Sequence, residues 1–170
     1  MGKPLEAAKS RAEEALRSRG ISFTVEEGKN FIEFIVSLEQ LVEAAKALRE
    51  AGFTTVVSVT ATDYIKRGKF KVVYHVTSMI DEEMKGAIVG VGVYLPRTEK
   101  PRMPSLTSIW TSAEFQEREV FEFFGIEFEG HPDLRPLLLI PPVAEKRPLR
   151  KDFVVREESI YEVVPFSSVG

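Results

Sequence analysis

The chain has 170 residues, 44% hydrophobic and 29% charged, with a formal net charge of −3. These are globular proportions at single-domain length, which excludes collagen-like, mucin-like and wholly disordered chains and makes nucleic acid a poor main partner. There is no cysteine and there are only two histidines, His75 and His131. Disulfide frameworks, thiolate zinc or iron–sulfur sites, cysteine nucleophiles and a three-histidine zinc site are thereby ruled out within this sequence.

Pro4 to Ser18 predicts an amphipathic helix, with Leu5, Ala8, Ala12, Ala15 and Leu16 on one stripe and Gly20 beyond its end. Ile21 to Val25 alternates as a half-buried strand. Glu27-Gly28-Lys29-Asn30 turns the chain, and Phe31 to Val36 returns. Ser37 and Gln40 have capping-box spacing before a helix that runs to about Glu50. Three strands follow, at Phe53–Ala61, Phe70–Thr77 and Ala87–Leu95. Gly90-Val91-Gly92 sits inside the last of them, lacks a third glycine and a following helix, and reads as close packing rather than a nucleotide loop. The order predicts an α+β domain over residues 1–95, two-layered, with helices on one face of a largely antiparallel sheet.

Pro96, Pro101 and Pro104 then mark a linker. Residues 96–152 read as that linker, a helix and a docking segment, and 153–170 as an extended tail. Thr111 and Glu114 have capping-box spacing, and Gly125 suits a helix end. Between them Glu114, Arg118 and Glu122 stand four apart, the pattern of a surface ion-pair ladder. Residues 112–133 hold seven acids and one base, while 135–151 hold five bases and one acid. His131 lies among Glu127, Glu129 and Asp133, but Ile126 and Phe128 alternate with those acids as in a strand with one wet face. A hydrogen-bonded turn histidine is therefore expected rather than a metal ligand. A stand-alone enzyme here would have to use Glu119 or Glu122 with His131 as acid and base, and no nucleophile or phosphate-binding motif supports one. Leu137-Leu138-Leu139-Ile140 lies between prolines, so it cannot be a central strand and is expected to dock on a partner.

The residues of this half resemble a known family. Glu117-Arg118-Glu119, Glu122-Phe123-Phe124-Gly125-Ile126, Phe128-Glu129-Gly130-His131-Pro132-Asp133-Leu134-Arg135 and Pro148-Leu149-Arg150-Lys151-Asp152 resemble the signature of the 30-kDa subunit of respiratory complex I, the NADH-quinone oxidoreductase. Related subunits occur in membrane-bound, ion-translocating nickel–iron hydrogenases. Pro104 to Ser108 looks like the family's lead-in. The resemblance implies a non-catalytic subunit of a hydrophilic arm, peripheral on the cytoplasmic side of the membrane and docked on the large hydrogenase-like (49-kDa-type) subunit near the small iron–sulfur subunit. It implies no cofactor in this chain, with iron–sulfur clusters and a nickel–iron centre, where there is one, in the partners. Pro136 stands where many quinone-reducing members have a second arginine, and Lys146-Arg147 where they commonly have a Gly-His pair. These departures tilt the resemblance toward the hydrogenase-type branch. An NADH-quinone oxidoreductase proper and a free-standing binding module are the alternatives. One asparagine and two glutamines beside abundant Lys, Arg and Glu point to a hot-growing source.

Overall fold

The computed structural model describes residues 3–28 and 31–155. Helix α1 (Lys3–Ser18) is followed by strands β1 (Phe23–Glu27) and β2 (Ile32–Val36), helix α2 (Leu41–Glu50), and strands β3 (Thr55–Tyr64), β4 (Lys69–Thr77) and β5 (Ile88–Pro96). This is the predicted order of an α+β fold. Ser37 precedes a short 3-10 turn, Leu38–Gln40, without a side-chain cap, so the expected capping box does not form.

The five strands make one sheet in the order β1-β2-β5-β4-β3. All neighbours are antiparallel except β2 and β5, which run parallel in register Glu33↔Gly90 to Ile35↔Gly92. Alternation sends Phe34, Val72, Tyr74, Val76, Val89, Val91 and Val93 to one face, where Ala8, Ala12 and Leu16 of α1 and Leu41, Ala44 and Leu48 of α2 close the core. Small residues on both helices let their backbones approach the sheet.

The opposite face explains the two strand glycines. A Cβ on Gly90 would lie 2.8 Å from Glu33 Cγ and from Val73 Cγ1, and one on Gly92 would lie 2.6 Å from the Val72 carbonyl. The vacated trough across β5 lets Lys71 lie flat between Glu26 and Glu33, with Tyr94 donating to Glu26. Glu33 and Lys71 are thus buried without a covering helix. Burial pushes the Glu33 carboxyl up, but His75 and Lys71 outweigh it and hold it below its usual range. His75 bridges Ser58 and Glu33 and so serves the structure of the sheet.

Residues beyond β5 share the same core. Strand β6 (Arg102–Pro104) pairs in parallel with β7 (Glu127–Glu129), and helix α3 (Glu114–Phe124) lies between them in sequence. Met103, Leu106, Trp110, Val120, Phe124, Ile126 and Phe128 join the buried cluster. The stretch read as a proline linker therefore contains a strand. Helix α4 (Pro141–Ala144) is one short turn that the sequence pattern did not predict. Residues 156–170, most of the stretch read as an extended tail, lie outside the described residues.

Candidate functional site

The signature residues converge on α3. The helix follows a 3-10 turn at Thr111–Ala113, and no side-chain cap bond forms at its start, so the Thr111–Glu114 capping box is not made. The first turn instead covers the sheet edge. Ser112 Oγ accepts from the Val56 N–H at 3.0 Å, and Gln116 Oε1 accepts from the Val59 N–H at 2.6 Å. These are outward-facing donors of edge strand β3, which would otherwise invite pairing with another chain.

Three charged residues of this helix, Glu117, Arg118 and Glu122, are buried. Glu117 is fully buried and turns toward the sheet. It accepts from Tyr74 Oη at 2.8 Å, from the Leu106 N–H at 2.9 Å and from Ser105 Oγ at 2.6 Å. Burial pushes its carboxyl above the ordinary range, against the opposing pull of those three donors. Tyr74 is raised well above its usual value by its own burial and then by the neighbouring carboxylate.

Arg118 and Glu122 lie one turn apart on another side and grip a single strap, residues 134–139. Arg118 Nε donates to the Arg135 carbonyl at 2.9 Å and Nη2 to the Pro136 carbonyl at 3.1 Å, while Asp133 stands 3.6 Å from Nη1. Glu122 Oε2 accepts from the N–H groups of Leu137, Leu138 and Leu139 at 2.9–3.0 Å, and Oε1 shares that of Leu138. The expected Glu114–Arg118–Glu122 surface ladder is therefore incorrect. Arg118 is 6% exposed and its hydrogen bonds go to backbone carbonyls seventeen and eighteen residues away. The reason is satisfaction. A strap that contains Pro136 and runs on to Pro141 has no sheet partner, so its part-buried backbone groups need side-chain partners.

Gly125 ends the helix at φ 71°, in the left-handed region. A Cβ there would collide with Arg147 Nε and Cδ and approach Arg150 Nη2 at 3.1 Å, so glycine is required twice over. The Pro148–Asp152 motif folds back on this end. The Leu149 N–H donates to the Phe123 carbonyl at 3.1 Å and Arg150 Nε to the Phe124 carbonyl at 2.6 Å, a cation placed where the helix dipole favours it. Arg150 also lies 5.2 Å over the Phe70 ring and donates to the Glu99 carbonyl. The Lys151 N–H donates to Asp63 Oδ2 at 2.8 Å, and Arg97 bridges Asp63 and Asp152. Burial pushes Asp63 up, but Arg97 and the Lys151 N–H outweigh it and hold it below the ordinary range.

His131 is a turn histidine. The Asp133 N–H donates to Nδ1 at 3.0 Å, so Nε2 carries the ring proton and donates to the Glu114 carbonyl at 3.0 Å. Both ring nitrogens are occupied, as are both Glu122 oxygens, so the arrangement does not assemble an acid–base pair from them. Glu119 is half-buried on α3, Pro132 is exposed, Pro148 is half-buried, and Arg135 is exposed with its side chain on Asp133. Tyr74, Ser105, Asp63 and Arg97 were not singled out from the sequence. Of these only Ser105 carried a signal, as part of the Pro104–Ser108 lead-in; Asp63 lies beyond the predicted end of its strand at Ala61, and β3 runs on to Tyr64.

The docking run is thus held rather than free. Leu134 packs on the core and Leu137 and Leu139 are half-buried, while Leu138 and Ile140 stay 64% and 47% exposed. Among the described residues no helix is long and apolar enough to cross a membrane.

Comparison with known proteins places this architecture. The chain is 38% identical over 129 residues to NADH-quinone oxidoreductase subunit 5 of Thermus thermophilus, covering 72% of this chain and 61% of that protein. It is 38% identical over 135 residues to an NADH-quinone oxidoreductase subunit of Moorella thermoacetica, covering 79% and 87%. The chain thus spans about three fifths of the Thermus relative and most of the Moorella one. Among solved structures, a trypsin-resistant fragment of Nqo5 matches 75% of this chain and 99% of its own length, at 33% identity and a TM-score of 0.63. A chain of the membrane-bound sulfane sulfur reductase, an archaeal respiratory membrane complex, matches 94% of both at 26% identity and a TM-score of 0.77. The profile described as respiratory-chain NADH dehydrogenase, 30 Kd subunit, matches residues 34–159, the stretch that holds the whole α3 scaffold, and the chain belongs to that family.

Proposed function

We propose that the chain is a non-catalytic structural subunit of the hydrophilic arm of a membrane-bound, ion-translocating oxidoreductase complex. In this reading it docks on the large hydrogenase-like subunit, beside the small iron–sulfur subunit, peripheral on the cytoplasmic side of the membrane. One observation carries the reading. The buried charges of the signature, Glu117, Arg118 and Glu122, together with Arg150, are spent on holding this chain's own backbone. What that frame displays is apolar: Phe115, Leu138, Ile140 and Leu149 are 47–64% exposed. Rigidly presented apolar side chains with polar neighbours are what an interface needs. In the same reading the chain holds no metal, flavin or nucleotide. Iron–sulfur clusters, and nickel–iron where present, belong to the partner subunits.

Two branches remain open to experiment. The names of the sequence relatives favour an NADH-quinone oxidoreductase. Pro136 and Lys146-Arg147, with the reductase match over 94% of the chain, favour the hydrogenase-type branch. Affinity purification of the tagged chain from native membranes tests the whole reading, with iron–sulfur and large hydrogenase-like subunits expected to co-purify. Recovery of the chain alone refutes it, as does stoichiometric iron, nickel or zinc in the isolated chain. Nickel content, NADH–quinone activity and sulfane-sulfur reduction of the recovered complex then separate the branches.

A further inference from the structure

Beside the α3 scaffold a cleft of about 610 Å³ opens between the turn at 99–100 and residues 145–154. Lys100, Lys146, Arg147 and Arg150 line it, with Glu99 and Glu145 as the acids left over, because its third acid, Asp152, is already taken by Arg97. Two features show that the cations are held there at a cost. Arg147 has φ 51°, the positive-φ non-glycine residue among the described residues, and it precedes Pro148. Left-handed backbone is strained for a residue that carries a Cβ. The strain is held by an Nη1 bond to the Ala144 carbonyl at 2.9 Å and by stacking 5.3 Å from the Phe121 centroid. This conformation also brings Arg147 and Arg150 together over Gly125, two like charges packed side by side. Arg150 is lowered from the ordinary guanidinium value by burial and then by Arg97 and Arg147. Repulsion between two guanidinium groups packed side by side is what a counter-anion relieves.

We propose that this cleft receives an acidic segment of a neighbouring subunit, whose Asp or Glu carboxylates pair with Lys100, Lys146 and Arg147. The inference rests on the subunit reading above and names the chemistry of one contact. A recess with acids among its lining residues suits a peptide carboxylate better than a flat anionic membrane. Charge pairing at such a site sets register and encounter as well as strength.

The test is zero-length carbodiimide crosslinking of the complex purified from native membranes, with the linked peptides read by mass spectrometry. Lys100 or Lys146 is expected to be joined to an Asp or Glu of another subunit. The K100Q/K146Q chain is expected to leave the complex at half the salt concentration, or less, that releases the wild type. A chain recovered without partners refutes the subunit reading and this inference with it. An intact complex whose Lys100 and Lys146 link only to this chain's own Glu157, Glu158 or Glu162, or whose salt release is unchanged in the double variant, overturns the cleft alone. So does loss of binding to anionic phospholipid vesicles in that variant without any change in subunit retention.

Discussion

Glu122→Ala removes the acceptor for three consecutive backbone N–H groups, Leu137, Leu138 and Leu139. Hydrogen bonds to a charged partner are worth about 1.5–3 kcal/mol each. Three at the low end come to about 4–5 kcal/mol. Water recovers part of this, because the strap N–H groups are only part-buried, leaving about 3–4 kcal/mol. Glu122→Gln separates charge from geometry. Its amide oxygen replaces Oε2, which takes all three bonds, while its NH2 replaces Oε1 and meets only the shared Leu138 N–H. That variant is expected to cost about 1–2 kcal/mol. Denaturant unfolding followed by the fluorescence of buried Trp110 reports global stability, and hydrogen exchange reports the amides of 137–139. In Glu122→Ala those amides are expected to lose protection first. Unchanged exchange at 137–139 together with unchanged unfolding would refute the reasoning, since no other protein group accepts from these donors among the described residues.

Arg118→Ala frees the carbonyls of Arg135 and Pro136, about 2–3 kcal/mol for two charge-assisted bonds, and is expected to lower the yield of assembled complex while turnover per complex holds; native-gel assembly against specific activity decides it. Gly125→Ala combines left-handed strain of about 1–2 kcal/mol with displacement of Arg147 from the Ala144 carbonyl, so a loss of about 2–4 kcal/mol is expected in thermal or denaturant unfolding. Asp63 and Asp152 have lowered folded-state values, so the stability they supply is present above the ordinary carboxylate value and lost as pH falls through the folded one; Arg97→Ala is expected to flatten that acid limb of a stability–pH curve. Glu117 is raised, so its sign is opposite: its contribution is fully present below the ordinary glutamate value and lost as pH rises through the folded one, and Glu117→Gln is expected to remove that decline.

The sequence alone determined the order of helices and strands through β5, the helix ending at Gly125 and the family signature, because all three are written in local periodicity, in glycine's tolerance of positive φ and in contiguous motifs. It also bounded the chemistry: with no cysteine and two histidines, thiolate metal sites, cysteine nucleophiles and a three-histidine zinc site fall away. Only the tertiary structure decided where those charges go. From sequence, Arg118 had Glu114 and Glu122 as neighbours one turn away. In the fold its bonds go to carbonyls at 135 and 136, because an exposed helical pair is worth a few tenths of a kcal/mol whereas a buried polar group left unpaired costs several times more. The parallel pairing of β6 with β7 was equally out of reach: the alternation of Ile126 and Phe128 with Glu127 and Glu129 marks β7, but β6 ends on Pro104 in a stretch that reads as linker. The internal partners of Pro148–Asp152 were likewise hidden: the fold returns the motif to α3 and Asp63, a contact that closes 88 residues of chain between Asp63 and Lys151. Partners that distant are chosen by which unsatisfied backbone groups the fold brings within reach, and spacing along the chain holds no record of that.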